Sequence, residues 1–180
     1  PAWTHLLEGV SRSRIEILFI TVNGVDRMPS DFFDVLEDYP LNELHLKIAS
    51  QLNPHVLRKR ANVSSLYLYV RDGIETLRPE YFSGMTDLND LYLGRNSISS
   101  INPSNSSWNV NITKLAISGN RLKEIKPFTF YGLNNLAILD LNRNYVVELF
   151  TWHIYSFVGL PNLRSLNLAE SGRMRSIWIQ

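Results

Sequence analysis

Apolar residues recur along the chain in a fixed arrangement. The stretch LNDLYLGRNSISSI (88 to 101) is followed 24 residues later by ITKLAISGNRLKEI (112 to 125), and 24 residues after that by LAILDLNRNYVVEL (136 to 149). Each stretch has apolar residues at its first, fourth, sixth, eleventh and fourteenth positions and asparagine at its ninth. Similar stretches extend the register in both directions, which predicts an internal repeat. Its units begin near residues 15, 41, 63, 88, 112, 136 and 163.

The first part of each unit alternates apolar and polar residues, which indicates a strand, and the remainder is too short and irregular for long helices. Two apolar residues of every strand are expected to point inward. These core pairs are Leu18 and Ile20, Leu44 and Leu46, Leu66 and Leu68, Leu91 and Leu93, Leu115 and Ile117, Leu139 and Leu141, and Leu166 and Leu168. Since neighbouring strands lie about 4.8 Å apart, the pairs stack into one continuous core. The pattern predicts an α/β fold class: a right-handed solenoid with seven parallel strands on its concave side and mostly irregular convex segments.

The ninth position of the unit, called the asparagine position below, is expected to carry a buried amide. Such an amide both donates and accepts hydrogen bonds and satisfies backbone groups that leave the strand ladder. The position holds Asn23, Asn96, Asn120 and Asn144. Other units have Ala49, Arg71 and Ser171 there. The third and seventh units also place their last apolar residues one position late, and local irregularity is expected in these two units.

The segment that returns from one strand to the next carries a second apolar anchor. Phe33, Phe82 and Phe130 each follow the last apolar position of their unit by five residues. We expect them to pack as a spine on the convex side, with Trp108 replacing the missing phenylalanine of the fourth unit.

Composition excludes several classes of site. Lys and Arg exceed Asp and Glu by one, so charge gives no reason to expect nucleic acid as a partner. The chain has no cysteine, which rules out disulfides, thiolate zinc sites and cysteine catalysis within it. Apolar runs fall far short of the roughly 20 residues of a membrane helix, so membrane attachment is expected only through segments outside this chain. Residues 1–180 are interpreted as one repeat domain, an uncapped excerpt of a longer array.

The returns YFSGMTDL (81 to 88) and FYGLNNL (130 to 136), together with the 24-residue period, resemble the extracellular, typical subclass of leucine-rich repeats. Toll-like receptors and chaoptin-like adhesion proteins carry repeats of this subclass. The resemblance implies a horseshoe with a parallel sheet inside, and it does not choose among those proteins.

Three glycosylation sequons favour the same compartment. Asn62, Asn105 and Asn111 each begin an N-x-[ST] triplet outside the predicted strand cores. The predicted location is therefore extracellular, either in a cell-surface ectodomain or in a secreted protein.

The residue between the two core positions of each strand points out of the concave face. In the first four strands this residue is Phe19, His45, Tyr67 and Tyr92. Exposed aromatic residues are favoured interface anchors, so these four, with the flanking Lys47, Tyr69 and Asp90, are the predicted ligand-binding residues. The alternative is that the aromatic residues only stack across strands and stabilise the sheet.

No enzyme motif accompanies this face. The histidines are scattered without metal-ligand spacing, and GxSxG, HExxH and phosphate loops are missing, so no catalysis, metal or cofactor is expected. The predicted function is recognition of a protein ligand or co-receptor by a receptor or adhesion ectodomain. Assembly as a homodimer or heterodimer stays open. A secreted matrix protein with a structural or clustering role is the main alternative, and an intracellular scaffold is the third.

Overall fold

The computed structural model of the protein describes residues 14–23, 31–37, 40–49, 52–58, 60–71, 73–102, 108, 111–145 and 155–171. Seven of its strands form one parallel sheet. They are β1 (Ile17–Val22), β2 (Leu41–Ile48), β3 (Val63–Val70), β5 (Asp90–Tyr92), β7 (Lys114–Ala116), β8 (Ile138–Asp140) and β9 (Ser165–Asn167), in the order β1-β2-β3-β5-β7-β8-β9. A two-stranded parallel sheet of β4 (Thr76–Leu77) and β6 (Ser100–Ile101) lies in the returns.

The register joins equivalent residues of successive units. The first member of every core pair aligns with its counterpart in the next strand, through Leu18, Leu44, Leu66, Leu91, Leu115, Leu139 and Leu166. Most core-pair residues are buried in a single hydrophobic cluster, while Leu18 and Leu168 are partly buried against it and Leu166 is 40% exposed. The predicted parallel-strand solenoid is confirmed, because each coil contributes one strand and one layer of the core.

The returns contain short 3-10 helices at Asp34–Leu36, Pro54–Arg58 and Pro79–Phe82. In the ranges given above there is no α-helix, and no helix is long and apolar enough to cross a membrane. The irregular convex segments are therefore as predicted.

The predicted spine is also confirmed, since Phe33, Phe82 and Phe130 are completely buried. Trp108 is buried as well, and its ring centroid lies 6.2 Å from that of Phe130. Its Nε1 donates a hydrogen bond of 2.8 Å to the backbone oxygen of Thr129. The tryptophan thus replaces a phenylalanine and at the same time ties its unit to the next return.

Buried asparagines join consecutive coils through backbone hydrogen bonds. Asn120 Oδ1 accepts a bond of 3.0 Å from the nitrogen of Ile98, and its Nδ2 donates to the backbone oxygens of Leu93 at 2.8 Å and Ile117 at 3.0 Å. Equivalent bonds to the preceding coil are made by Asn96 and Asn144. The expectation of a buried amide is wrong at Asn23, which is exposed. The other three amides bond to the coil before them, and β1 has no strand before it in the described sheet.

The strands of the sheet differ in length. β2 and β3 have eight residues, and the ladder continues beyond each: Ala49 N bonds to Val22 O and Arg71 N to Ile48 O, both at 2.9 Å. β5, β7 and β8 have three residues each and are followed by a buried asparagine. The third unit, where irregularity is predicted, thus has a longer strand. Beyond the shorter strands the backbone also bonds to the next coil, for example from Leu93 N to Ala116 O at 2.7 Å.

Candidate functional site

Four aromatic rings stack on one face of the sheet. This aromatic column consists of Phe19, His45, Tyr67 and Tyr92, which the register aligns on β1, β2, β3 and β5. Successive ring centroids lie 4.1, 4.0 and 4.0 Å apart, with interplanar angles of 17°, 8° and 4°. These distances are shorter than the strand spacing of about 4.8 Å, so the side chains converge as they leave the sheet, as expected on the inside of a curved sheet.

The two ends of the column differ. The Phe19 side chain is 71% exposed, which leaves its outer face open to solvent. At the other end, Nζ of Lys114 lies 4.9 Å from the centroid of the Tyr92 ring, a cation–π contact. The next residue in this register is Ala116, so the column ends at Tyr92.

The polar atoms of the column lean toward one side, where they meet carboxylates. His45 Nε2 lies 2.9 Å from Glu43 Oε2. The Tyr67 hydroxyl donates to that of Tyr92, which in turn donates to Asp90 Oδ2 at 3.3 Å. These contacts fix the rotation of the rings, so Glu43 and Asp90 act as anchors of the column.

Both tyrosines of the column are difficult to ionise. Burial, followed by the hydrogen bond to Tyr92, raises the pKa of Tyr67 to about 12. Burial likewise raises the pKa of Tyr92, while accepting the hydrogen bond from Tyr67 opposes this effect. Both phenols therefore stay neutral and able to donate hydrogen bonds at physiological pH.

A hollow of about 450 Å³ lies on the other side of the column. Its far side includes Lys47, Tyr69, Gly94, Arg95 and Ser118, and Nζ of Lys47 lies 5.8 Å from the centroid of the Tyr69 ring. A Cβ added to Gly94 would lie 3.3 Å from Ser118 Oγ, so the missing side chain leaves this part of the hollow open. Carbon atoms provide most of the exposed surface of the hollow.

The structure brings most of the predicted ligand-binding residues together around this hollow. Its lining includes Phe19, His45, Lys47, Tyr67, Tyr69 and Tyr92. Asp90 lies outside it, on the other side of the column, where its two carboxylate oxygens accept hydrogen bonds from Tyr92 and Thr113. Ligand binding by all seven residues stays a prediction.

Sequence reasoning did not select Arg95 or Lys114. Lys114 aligns with Asp90 and covers the last ring of the column, whereas Arg95 precedes an asparagine position and lines the hollow. A cation placed one coil beyond an aromatic residue is the pattern that could have indicated Lys114. No pattern of comparable simplicity indicates Arg95.

No metal site accompanies the hollow. Over the part of the chain that the structure describes, histidine, aspartate and glutamate side chains form no group of three or more that could hold a metal ion. Nearby carboxylates are already engaged by the column.

Two of the predicted glycosylation sites lie in the described ranges. Asn62 is half-buried, and Asn111 is exposed with its Nδ2 donating 2.7 Å to the backbone oxygen of Thr86. Asn105 falls outside the described residues. Glycan attachment at the three asparagines stays a prediction.

A protein-family model described as "Leucine rich repeat" matches residues 110–172. Lumican of Gallus gallus is 29% identical over 83% of this chain, and the match covers 41% of lumican. Toll-like receptor 3 of Bos taurus is 30% identical over 50% of this chain and 10% of its own length. Keratocan of Danio rerio is 32% identical over 54% of this chain and 27% of its own length.

The chain thus spans less than half the length of each of these relatives. The relatives are extracellular or cell-surface proteins. Residues 110–172 thus match leucine-rich repeats, and the parallel solenoid shows the same repeat fold in the described part of the chain.

Proposed function

We propose that this chain is a noncatalytic recognition module of an extracellular protein, and that the aromatic column and the hollow beside it contact a protein ligand or co-receptor. The observation that carries the proposal is the aromatic column, exposed at Phe19 and half-buried at its other three rings, which the solenoid itself does not need. In the later strands the equivalent residues are Ala116, Asp140 and Asn167, and these strands still pair in the same register without an aromatic ring.

The column has the physical properties of an interface anchor. Its rings are stacked on a sheet and their polar tips are hydrogen-bonded, so few rotamers remain to be lost on binding. Tyrosine supplies a large contact area with a polar end, and such residues are enriched among those that dominate binding energy. The competing interpretation, in which the rings only stabilise the sheet, predicts that blocking the face leaves binding unchanged.

The proposed setting is the ectodomain of a receptor or adhesion protein. The name of Toll-like receptor 3, which matches half of this chain, supports it. The second candidate, a secreted matrix protein with a structural or clustering role, is supported by the longer match to lumican. The full-length sequence distinguishes the two settings, since only the receptor setting requires a membrane anchor.

A glycan attached at the column tests the proposal with a single substitution. Phe19→Asn creates the sequon Asn-Ile-Thr at an exposed position of the column, and Ala169→Asn creates Asn-Glu-Ser at an exposed position just after β9. Both proteins and the wild type are secreted from mammalian cells and applied to a panel of cell lines and extracellular-matrix preparations. We expect the Ala169→Asn glycoform to bind like the wild type and the Phe19→Asn glycoform to bind at least tenfold more weakly.

Equal binding of the two glycoforms, with occupancy established by mass spectrometry, would remove the column as a contact surface. Failure of the wild type to bind any of the surfaces also counts against a recognition role. Protein isolated from its native tissue tests the compartment. Glycans at Asn62, Asn105 or Asn111 exclude the intracellular scaffold, whereas three unmodified asparagines count against the extracellular assignment.

A further inference from the structure

Apart from the outer face of Phe19, the ring faces of the column are covered, so a ligand in the hollow meets ring edges. His45 and Tyr67 each have a neighbouring ring on both faces at 4.0 to 4.1 Å, and Lys114 covers the outer face of Tyr92. A nucleobase or a sugar ring stacks on an open aromatic face, and the three inner rings of the column offer none. Ring edges carry positive partial charge, so they favour acceptor groups.

The edges toward the hollow are the carbon edges. Nitrogen and hydroxyl tips of the column are directed to Glu43 and Asp90, and neither carboxylate lines the hollow. The column therefore separates an acidic side, whose oxygens are engaged with the rings, from an apolar side with room for a ligand.

The hollow combines this apolar surface with positive charge. Among the described residues, Lys47 and Arg95 are its only lysine and arginine, no aspartate or glutamate lines it, and both cations are exposed. Neither forms a salt bridge with a described residue. Cations that form no salt bridge with a described residue, placed beside an apolar surface, favour a partner that has apolar and anionic groups next to each other.

We infer that the hollow binds a segment of a protein partner in which an apolar side chain lies beside one or more carboxylates. The apolar side chain fills the space between the column and Tyr69, above the position where Gly94 lacks a side chain. The carboxylate pairs with Lys47 or Arg95. A volume of about 450 Å³ is within the range of ligand pockets and holds a large side chain with its neighbours. The inference rests on the proposed function and adds the chemistry of the partner.

The inference is tested by selecting peptides that bind the protein from a random library and determining their amino-acid composition. A random 12-residue peptide library displayed on phage is selected against the wild type, against a charge-reversed variant and against a control. The variant carries Lys47→Glu with Arg95→Glu, and the control carries Arg121→Glu with Lys126→Glu, which changes the net charge equally at exposed residues outside the hollow. Circular dichroism establishes that all proteins are folded, and fluorescence anisotropy gives the affinity of synthetic copies of enriched peptides.

We expect the wild type and the control to enrich peptides with adjacent acidic and apolar residues, and to bind them within twofold of each other. The charge-reversed variant should bind these peptides at least tenfold more weakly. Enrichment of neutral or basic peptides on the wild type, equal affinity for the charge-reversed variant, or no enrichment at all would overturn the inference.

The Phe19→Asn glycoform separates this inference from the proposed function. One result is a peptide that fails to bind the glycoform and still binds the charge-reversed variant as well as the wild type. That result supports the contact surface and contradicts only the inferred acidic–apolar chemistry of the partner. A peptide that binds the glycoform and the wild type with equal affinity binds outside the column. That result contradicts the proposed contact surface itself.

Discussion

Tyr67 lies between two rings, with His45 on one face and Tyr92 on the other. Burial and the hydrogen bond it donates to Tyr92 raise its pKa to about 12, because both favour the neutral phenol. An unperturbed tyrosine has a pKa near 10. Since the folded-state pKa is the higher one, the stability linked to this group is complete below about pH 10 and is lost as the pH rises through about 12.

The ultraviolet absorbance of phenolate follows this group directly. In an alkaline titration of the folded protein we expect a tyrosine component near pH 12 that disappears in Tyr67→Phe. Tyr145→Phe, which changes an exposed tyrosine away from the column, should leave the component in place. A wild-type titration without any component near pH 12 would mean that the stacked arrangement is not the one populated in solution.

Alternation along the strands was sufficient to predict which residues form the column, because it fixes the face on which each side chain lies. It could not predict the direction of the polar tips, which depends on contacts with Glu43 and Asp90 two residues earlier in the same strands. Nor could it predict that Asp90 anchors Tyr92 and accepts a bond from Thr113 in the next coil.

At the scale of the elements, strand positions followed from the repeat and strand lengths did not. Strands β2 and β3, with Ala49 and Arg71 at the asparagine position, have eight residues, and strands β5, β7 and β8, with a buried asparagine there, have three. Strand β9 is equally short with Ser171 at that position. Asn23 also shows that the residue type alone is insufficient, since its side chain is exposed beside the outermost strand.

Asn120 and Asn23 therefore form a matched pair for substitution. Asn120→Ala leaves the nitrogen of Ile98 and the oxygens of Leu93 and Ile117 without their amide partner inside the protein. Unsatisfied buried groups cost about 1–3 kcal/mol each, so we expect unfolding in urea to show a loss of at least about 2 kcal/mol. Asn23→Ala should change stability by no more than about 0.5 kcal/mol. Similar losses in both variants would contradict the role assigned to the buried amides.

At the scale of the whole molecule, stability is distributed coil by coil. Each layer of the core is contacted by the layers on either side, as in other solenoids, where stability is approximately a sum of repeat and neighbour terms. Leu91 is completely buried and aligns with Leu66 and Leu115 in the adjacent strands. Leu166 occupies the same register position in β9, where it aligns with Leu139 on one side and is 40% exposed.

Substitution of each of these two leucines by alanine tests whether a leucine between two layers of the core contributes more to the free energy of unfolding than one with a layer on one side. Leu91→Ala removes a side chain that is packed between two layers and leaves a cavity, which costs about 2–5 kcal/mol. At Leu166 the side chain is already partly in water, and its removal creates no closed cavity, so the loss should stay below about 1.5 kcal/mol. Urea unfolding gives both values, and hydrogen exchange locates the change, which for Leu91→Ala should extend to the amides of β3 and β7. Equal losses of unfolding free energy would mean that contact with a layer on each side adds no stability. The energetic description of a stacked solenoid would then not apply to this chain.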